Sequence, residues 1–212
     1  MTEKERNDYF YVCALIEYIA RETLNHRGDI VSAIGRKGVE KLLHDAEVDH
    51  CLSFEQVGDE VISYYKIKNG NFDTISACKY SVPSFLDIGK LYSIMIEDCA
   101  KPGNEVQELI NIFNSFISDE ISNFNSDLYY QNPDYLEWSY GSGLSIPMGL
   151  PSWRELIEKS ADYFSVSDEK KECIRKCLDR NEYLDATDVI LEAGVSDQML
   201  REYIAKSMTE AK

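Results

Sequence analysis

Apolar residues in this 212-residue chain recur three and four apart along nearly its whole length, and no stretch makes a convincing strand. That spacing lines up side chains on one face of an α-helix. In N-D-Y-F-Y-V-C-A-L-I-E-Y-I-A (7–20) it runs through Phe10, Val12, Cys13, Ile16, Ile19 and Ala20, with Asn7 or Asp8 as the expected N-cap. A short helix is expected over 29–34, stopped by Gly35. Another is expected over 38–48, with Val39, Leu42, Leu43 and Ala46 on one face. Ser53 and Gln56 stand three apart, as in a capping box, and open a helix that turns Phe54, Val57, Val61 and Ile62 inward. Residues 66–83 break the rhythm. Asn69-Gly70-Asn71 marks a turn there, and isolated β-branched residues allow at most a short strand.

Ser84 opens the next helix, which Lys101-Pro102-Gly103 ends. Asn104 is expected to cap one long helix to about Asn123, through Val106, Leu109, Ile110, Phe113, Ile117 and Ile121. The stretch 128–140 is aromatic, and its rings either pack on the helices or offer a stacking surface. Glycine and proline cluster over 133–151, where the chain is expected to divide. Four further helices are expected over 152–164, 168–178, 183–193 and 196–208, with Gly194 as a helix stop. The expected fold is all-α: a helical domain over 1–138, then a small helical module over 141–212 entered through a Gly/Pro-rich loop.

The net charge is −16, and residues 81–140 carry ten acidic against two basic side chains. Such a field repels nucleic acid and anionic membrane and attracts basic surfaces. The excess either serves solubility or meets a basic protein partner; no direct nucleic-acid binding and no membrane association are expected. No apolar run approaches the roughly 18–20 residues that span a bilayer. The charged M-T-E-K-E-R-N-D start lacks the apolar stretch of a signal peptide, so a cytoplasmic location is expected. There the six cysteines are expected as buried thiols rather than disulfides.

No catalytic residues can be assigned. His44 and His50 are six apart, off a common helix face, and with Cys51 they lack a fourth partner, so no metal site is expected. Cys173 and Cys177 share a helix face but have no second Cys/His pair with them. The one segment with ligand chemistry is G-S-G-L-S-I-P-M-G-L-P-S-W-R (141–154). Its paired glycines let a backbone turn tightly against a ligand, and the helix start that follows favours phosphate. The plain alternative is a linker between helical bundles.

That string, with Ser145, Gly149, Pro151, Trp153 and Arg154 in one frame, resembles the first nucleotide-binding loop of sirtuins and of bacterial sirtuin-like domains. The resemblance implies that Gly141, Gly143 and Ser145 lie against the pyrophosphate and ribose of NAD, with Arg154 near the nicotinamide ribose. Ser142 departs from the alanine usual in the family. The resemblance covers about the last third of the chain. All three histidines precede the loop and Asn181 is the only asparagine after it, so the family's catalytic histidine and Asn-Ile-Asp-type motif are missing. The segment therefore reads as the truncated front end of a sirtuin-like domain, without catalysis of its own.

F-Y-V-C-A-L-I-E-Y-I-A-R (10–21), R-G-D-I-V-S-A-I-G (27–35) and S-V-P-S-F-L-D-I-G-K (81–90) resemble a family of uncharacterised bacterial helical proteins. That resemblance implies an antitoxin-like role. The leading expectation is a protein-binding accessory factor, antitoxin-like or defence-associated, that needs no cofactor. The two rivals are a sensor of NAD or ADP-ribose using the 141–154 loop, and an acidic mimic of DNA that occupies a DNA-binding protein.

Overall fold

The computed structural model describes residues 1–126, 128–131, 133–143, 153–180 and 183–210. These form eleven α-helices, one short 3-10 turn and no strand, so the fold is all-α. The chain divides into two compact units, Met1–Pro133 and Asp134–Lys212. The division falls before the expected 138, and the aromatic helix at Pro133–Ser142 goes with the second unit.

In the first unit, α1 (Glu3–Thr23) is the central helix. From Tyr11 to Ala20 every residue but Tyr18 is buried, so this helix is covered on nearly all sides. Each fully buried Leu or Ile contributes about 1.5–3 kcal/mol relative to leaving it in water. The helix starts earlier than the expected Asn7 or Asp8. Thr2 accepts from the Glu5 N–H at 3.2 Å, and the Glu5 carboxylate accepts from the Thr2 N–H at 2.7 Å. That reciprocal box fixes the start before the apolar pattern begins.

Helix α2 (Arg27–Asp49) is kinked at Gly35, whose φ of 70° and ψ of 166° are non-helical. Glycine takes that conformation at no steric cost, so the two expected short helices are two limbs of one kinked helix. Helix α3 (Phe54–Tyr65) starts at Ser53, whose hydroxyl accepts from the Gln56 N–H at 3.1 Å. Helix α4 (Phe85–Cys99) packs on α1 more extensively than any other pair in the fold. Its box pairs Ser84 Oγ with the Asp87 N–H at 3.0 Å, and the Asp87 carboxylate with the Ser84 N–H at 3.2 Å. Ser84→Ala is expected to cost about 1 kcal/mol, read as a lower urea midpoint with an unchanged slope.

The long helix expected after Asn104 is broken in two, α5 (Glu105–Phe113) and α6 (Phe116–Ser122). At the break the Asn114 amide donates to the Ile110 carbonyl at 2.8 Å, and the Ser115 hydroxyl to the Ile112 carbonyl at 2.7 Å. Side chains of this kind compete with the helix for its own carbonyls. Asn104 makes no capping bond; the Glu105 carboxylate instead accepts from the Gly103 N–H at 3.0 Å.

One ionic cluster lies inside the first unit. Glu17 (0 % exposed) accepts from Arg21 Nε at 2.6 Å, Arg27 Nε at 2.6 Å and Arg27 Nη2 at 2.7 Å. Arg21 also donates to the Pro83 carbonyl at 2.9 Å, and its guanidinium lies 5.2 Å over the Phe124 ring. Two cations share one carboxylate, so the buried group carries a net positive charge. The irregular segment 66–84 closes over it, held to the end of α1 by Gly70 N–H to the Thr23 carbonyl and Phe72 N–H to the Leu24 carbonyl, at 2.8 and 2.7 Å.

In the second unit, α7 (Pro133–Ser142) buries Tyr135, Leu136, Trp138 and Ser139. Helices α8 (Trp153–Tyr163), α9 (Asp168–Asp179), α10 (Tyr183–Leu191) and α11 (Asp197–Glu210) follow. Leu156, Ile157, Ile174, Leu178, Ile190 and Leu200 are buried among them. Gly194 has a φ of 94°, as a helix stop requires, and Ser196 accepts from the Met199 N–H at 3.2 Å to begin α11.

Candidate functional site

The four residues expected at a nucleotide divide between two helix ends and a segment outside the described residues. Gly141 sits in the last turn of α7, and its carbonyl accepts from Arg201 Nη1 at 2.6 Å. Gly143 follows with a φ of 70°, its N–H donating to the Tyr140 carbonyl at 3.3 Å. The free backbone groups at such an end are carbonyls rather than N–H groups. Ser145 lies outside the described residues. Arg154 is in the first turn of α8, where its guanidinium meets Asp179 at 2.7 Å and Glu158 at 3.2 Å. The bond to Asp179 holds its charge most firmly, and Glu158 adds to it.

The cysteines and histidines are dispersed. Cys13 and Cys177 are buried, Cys51 and Cys173 are exposed, and all six are free thiols, so burial is narrower than expected. Burial pushes the Cys13 thiol far up, which makes it inert. His44 pairs with Asp45 at 2.8 Å, and His50 Nε2 stands 3.9 Å from Cys51 Sγ. Among the described residues no group of three or more His, Cys, Asp or Glu side chains is placed to hold a metal.

The acidic excess of 81–140 is partly tied down. Asp119 pairs with His26 Nδ1 at 2.7 Å, and Glu105 serves the Gly103 N–H. Freer charge gathers elsewhere, over residues 41–65, which carry six acidic side chains and one lysine. There α2 and α3 bound a groove lined by Asp45, Asp49, Glu60, Tyr64 and Tyr65, with Lys41 at its side. Gly38 lets Tyr65 lie flat on α2: a Cβ there would come within 2.5 Å of the Tyr65 hydroxyl. Tyr64 meets Tyr65 edge-on at 4.9 Å and is 76 % exposed. Burial pushes the Asp49 carboxyl up; Asp45 and Glu60 add to the rise and Lys41 opposes it. Like charges held together in this way gain from an incoming cation. An exposed tyrosine face also attracts a guanidinium or ammonium.

The composition of 41–65 is the readable signal for this groove; which of its carboxylates share a face with Tyr64 depends on how α2 and α3 cross. Comparison with protein-family models, with curated proteins and with solved structures finds nothing that matches this chain.

Proposed function

We propose that this chain is a protein-binding accessory factor, antitoxin-like or defence-associated, without catalysis of its own, and that it holds a basic segment of its partner in the α2–α3 groove. The observation that carries the reading is the set of Asp45, Asp49 and Glu60 beside the exposed Tyr64. Lys41 satisfies Asp45 at 2.6 Å, which leaves Asp49 and Glu60 for an arriving arginine or lysine. Arginine fits best, because its planar cation bonds a carboxylate in parallel and stacks on a tyrosine ring.

The test is capture from the native host by the tagged chain and by a variant carrying Asp49→Lys, Glu60→Lys and Tyr64→Ala. The intact chain is expected to retain a basic protein that raised salt releases, since exposed charges are screened beyond about 8 Å at physiological ionic strength. The variant is expected to keep its helical circular dichroism and to bind that protein at least tenfold more weakly. Recovery of the same protein by the variant, or of no basic protein by either, overturns the reading.

A further inference from the structure

A cleft of about 310 Å³ opens over the buried ionic cluster, between the 66–84 segment and α6 with the turn that follows it. That volume is at the small end of the roughly 300–1,000 Å³ of ligand pockets. Phe72 and Thr74 form one wall, and Asp119, Glu120, Asn123 and Phe124 the other. The walls are tied together: Asn125 donates to the Ala77 carbonyl at 2.9 Å and accepts from the Lys79 N–H at 2.8 Å. The spacing of the two walls is thus set by the Asn125 side chain, bonded to the backbone of the 66–84 segment.

Arg27, 1 % exposed, does not line the cleft but reaches its wall through Thr74: its Nη2 donates to Thr74 Oγ1 at 3.3 Å, and its Nη1 has no partner among the described residues. Its guanidinium stands 5.9 Å over the Phe72 ring. Arg21, behind Phe124, likewise leaves Nη2 without a partner. Thr74 accepts from a buried cation and keeps its own hydroxyl proton to donate. Polarisation by the cation strengthens that donor toward an anion.

The rim carries the opposite sign. Asp73 is occupied by the Ser76 side chain and by the N–H groups of Ser76 and Ile75 at 3.0 and 2.9 Å, which together hold its carboxyl below the usual range. Asp119 is shared with His26, which stacks on Phe72 at 3.7 Å. Glu120 has no side-chain partner among the described residues. A simple anion would meet these carboxylates on its way in, and a simple cation would meet the buried positive charge beneath.

We propose that this cleft binds a small zwitterion, an amino-acid-like molecule whose carboxylate is received by Thr74 over Arg27 and whose cationic nitrogen is received by Glu120 and Asp119. Phe72 and Phe124 wall in its carbon chain. The proposal does not depend on the protein-binding reading, whose groove lies between α2 and α3.

The test is titration of the full chain with ω-amino acids from glycine to 6-aminohexanoate, against acetate, methylamine and inorganic phosphate, followed by amide NMR shifts. At least one ω-amino acid is expected to shift Thr74, Asn123 and Phe124 and to bind at least tenfold tighter than acetate or methylamine. Thr74→Val should weaken it tenfold or more while Thr74→Ser retains it, and the spectra of both should stay native elsewhere. Glu120→Gln should lower affinity for the ω-amino acid but not for acetate. Equal binding by acetate or phosphate, no saturable shift by any ω-amino acid, or undiminished binding by Thr74→Val each overturns the proposal.

Discussion

Glu17→Ala is expected to destabilise the first unit by about 3–5 kcal/mol, a large part of the 5–15 kcal/mol that holds a typical domain folded. The carboxylate accepts three bonds from two guanidiniums, and among the described residues no other carboxylate bonds either of them, Asp119 acting on Arg27 only through space. Removing it leaves two positive charges in the interior, Arg27 at 1 % exposure and Arg21 with a side chain at 10 %. Each guanidinium would have to find water or distort the helix that carries it. Because the cost comes from abandoned charge and not from a lost favourable contact, a variant with Glu17→Leu, Arg21→Met and Arg27→Met together should lose less than Glu17→Ala alone. Equilibrium denaturation of both variants checks this. A loss under about 1 kcal/mol for Glu17→Ala would show that water reaches the cluster freely.

The cluster is partly legible in the sequence. Y-F-Y-V-C-A-L-I-E-Y-I-A (9–20) is apolar almost all round, with Glu17 as its only charge, and a helix apolar on every side is a buried one. A lone charge in such a run must find a buried partner. Arg21, one turn on, can be read from spacing, but Arg27 cannot. It reaches Glu17 only because Leu24, at a φ of 52°, turns the chain back between α1 and α2.

Other elements divide in the same way. Ser53, Ser84 and Gly194 each mark a helix end by chemistry local to one or two residues, and all three do so in the structure, whereas Gly35, expected as a stop, marks a kink inside α2. The break at Asn114 and Ser115 escapes a reading by periodicity because the apolar spacing runs straight through it, from Phe113 to Ile117. There the side-chain bonds to Ile110 and Ile112 prevail over periodicity. The Phe72–Phe124 cleft has no local signature. It joins an irregular segment to α6 across some fifty residues of chain, through bonds such as Asn125 to Ala77.

Gly89→Ala sets two effects of opposite sign against each other. In an exposed helix interior the change would stabilise by about 1 kcal/mol, since alanine fixes the backbone at lower entropic cost. Gly89 is buried on α4, where a Cβ would come within 2.6 Å of the Cα, Cβ and backbone N of Ala14 on α1. A flexible side-chain tip could swing away, but Cα and N belong to the backbone of the central helix. The helices must therefore separate, and the most extensive contact in the fold loosens with them. Overpacking of this kind costs about 1–3 kcal/mol, occasionally more, so a net loss is expected despite the better helix former. Ala14→Gly added to Gly89→Ala should recover only part of the loss, because it removes one of the three crowded atoms and leaves the other two. A double-mutant cycle by urea denaturation measures that recovery. If Gly89→Ala raises stability, α1 and α4 lie farther apart than the close crossing described, and the helix-propensity effect governs the site.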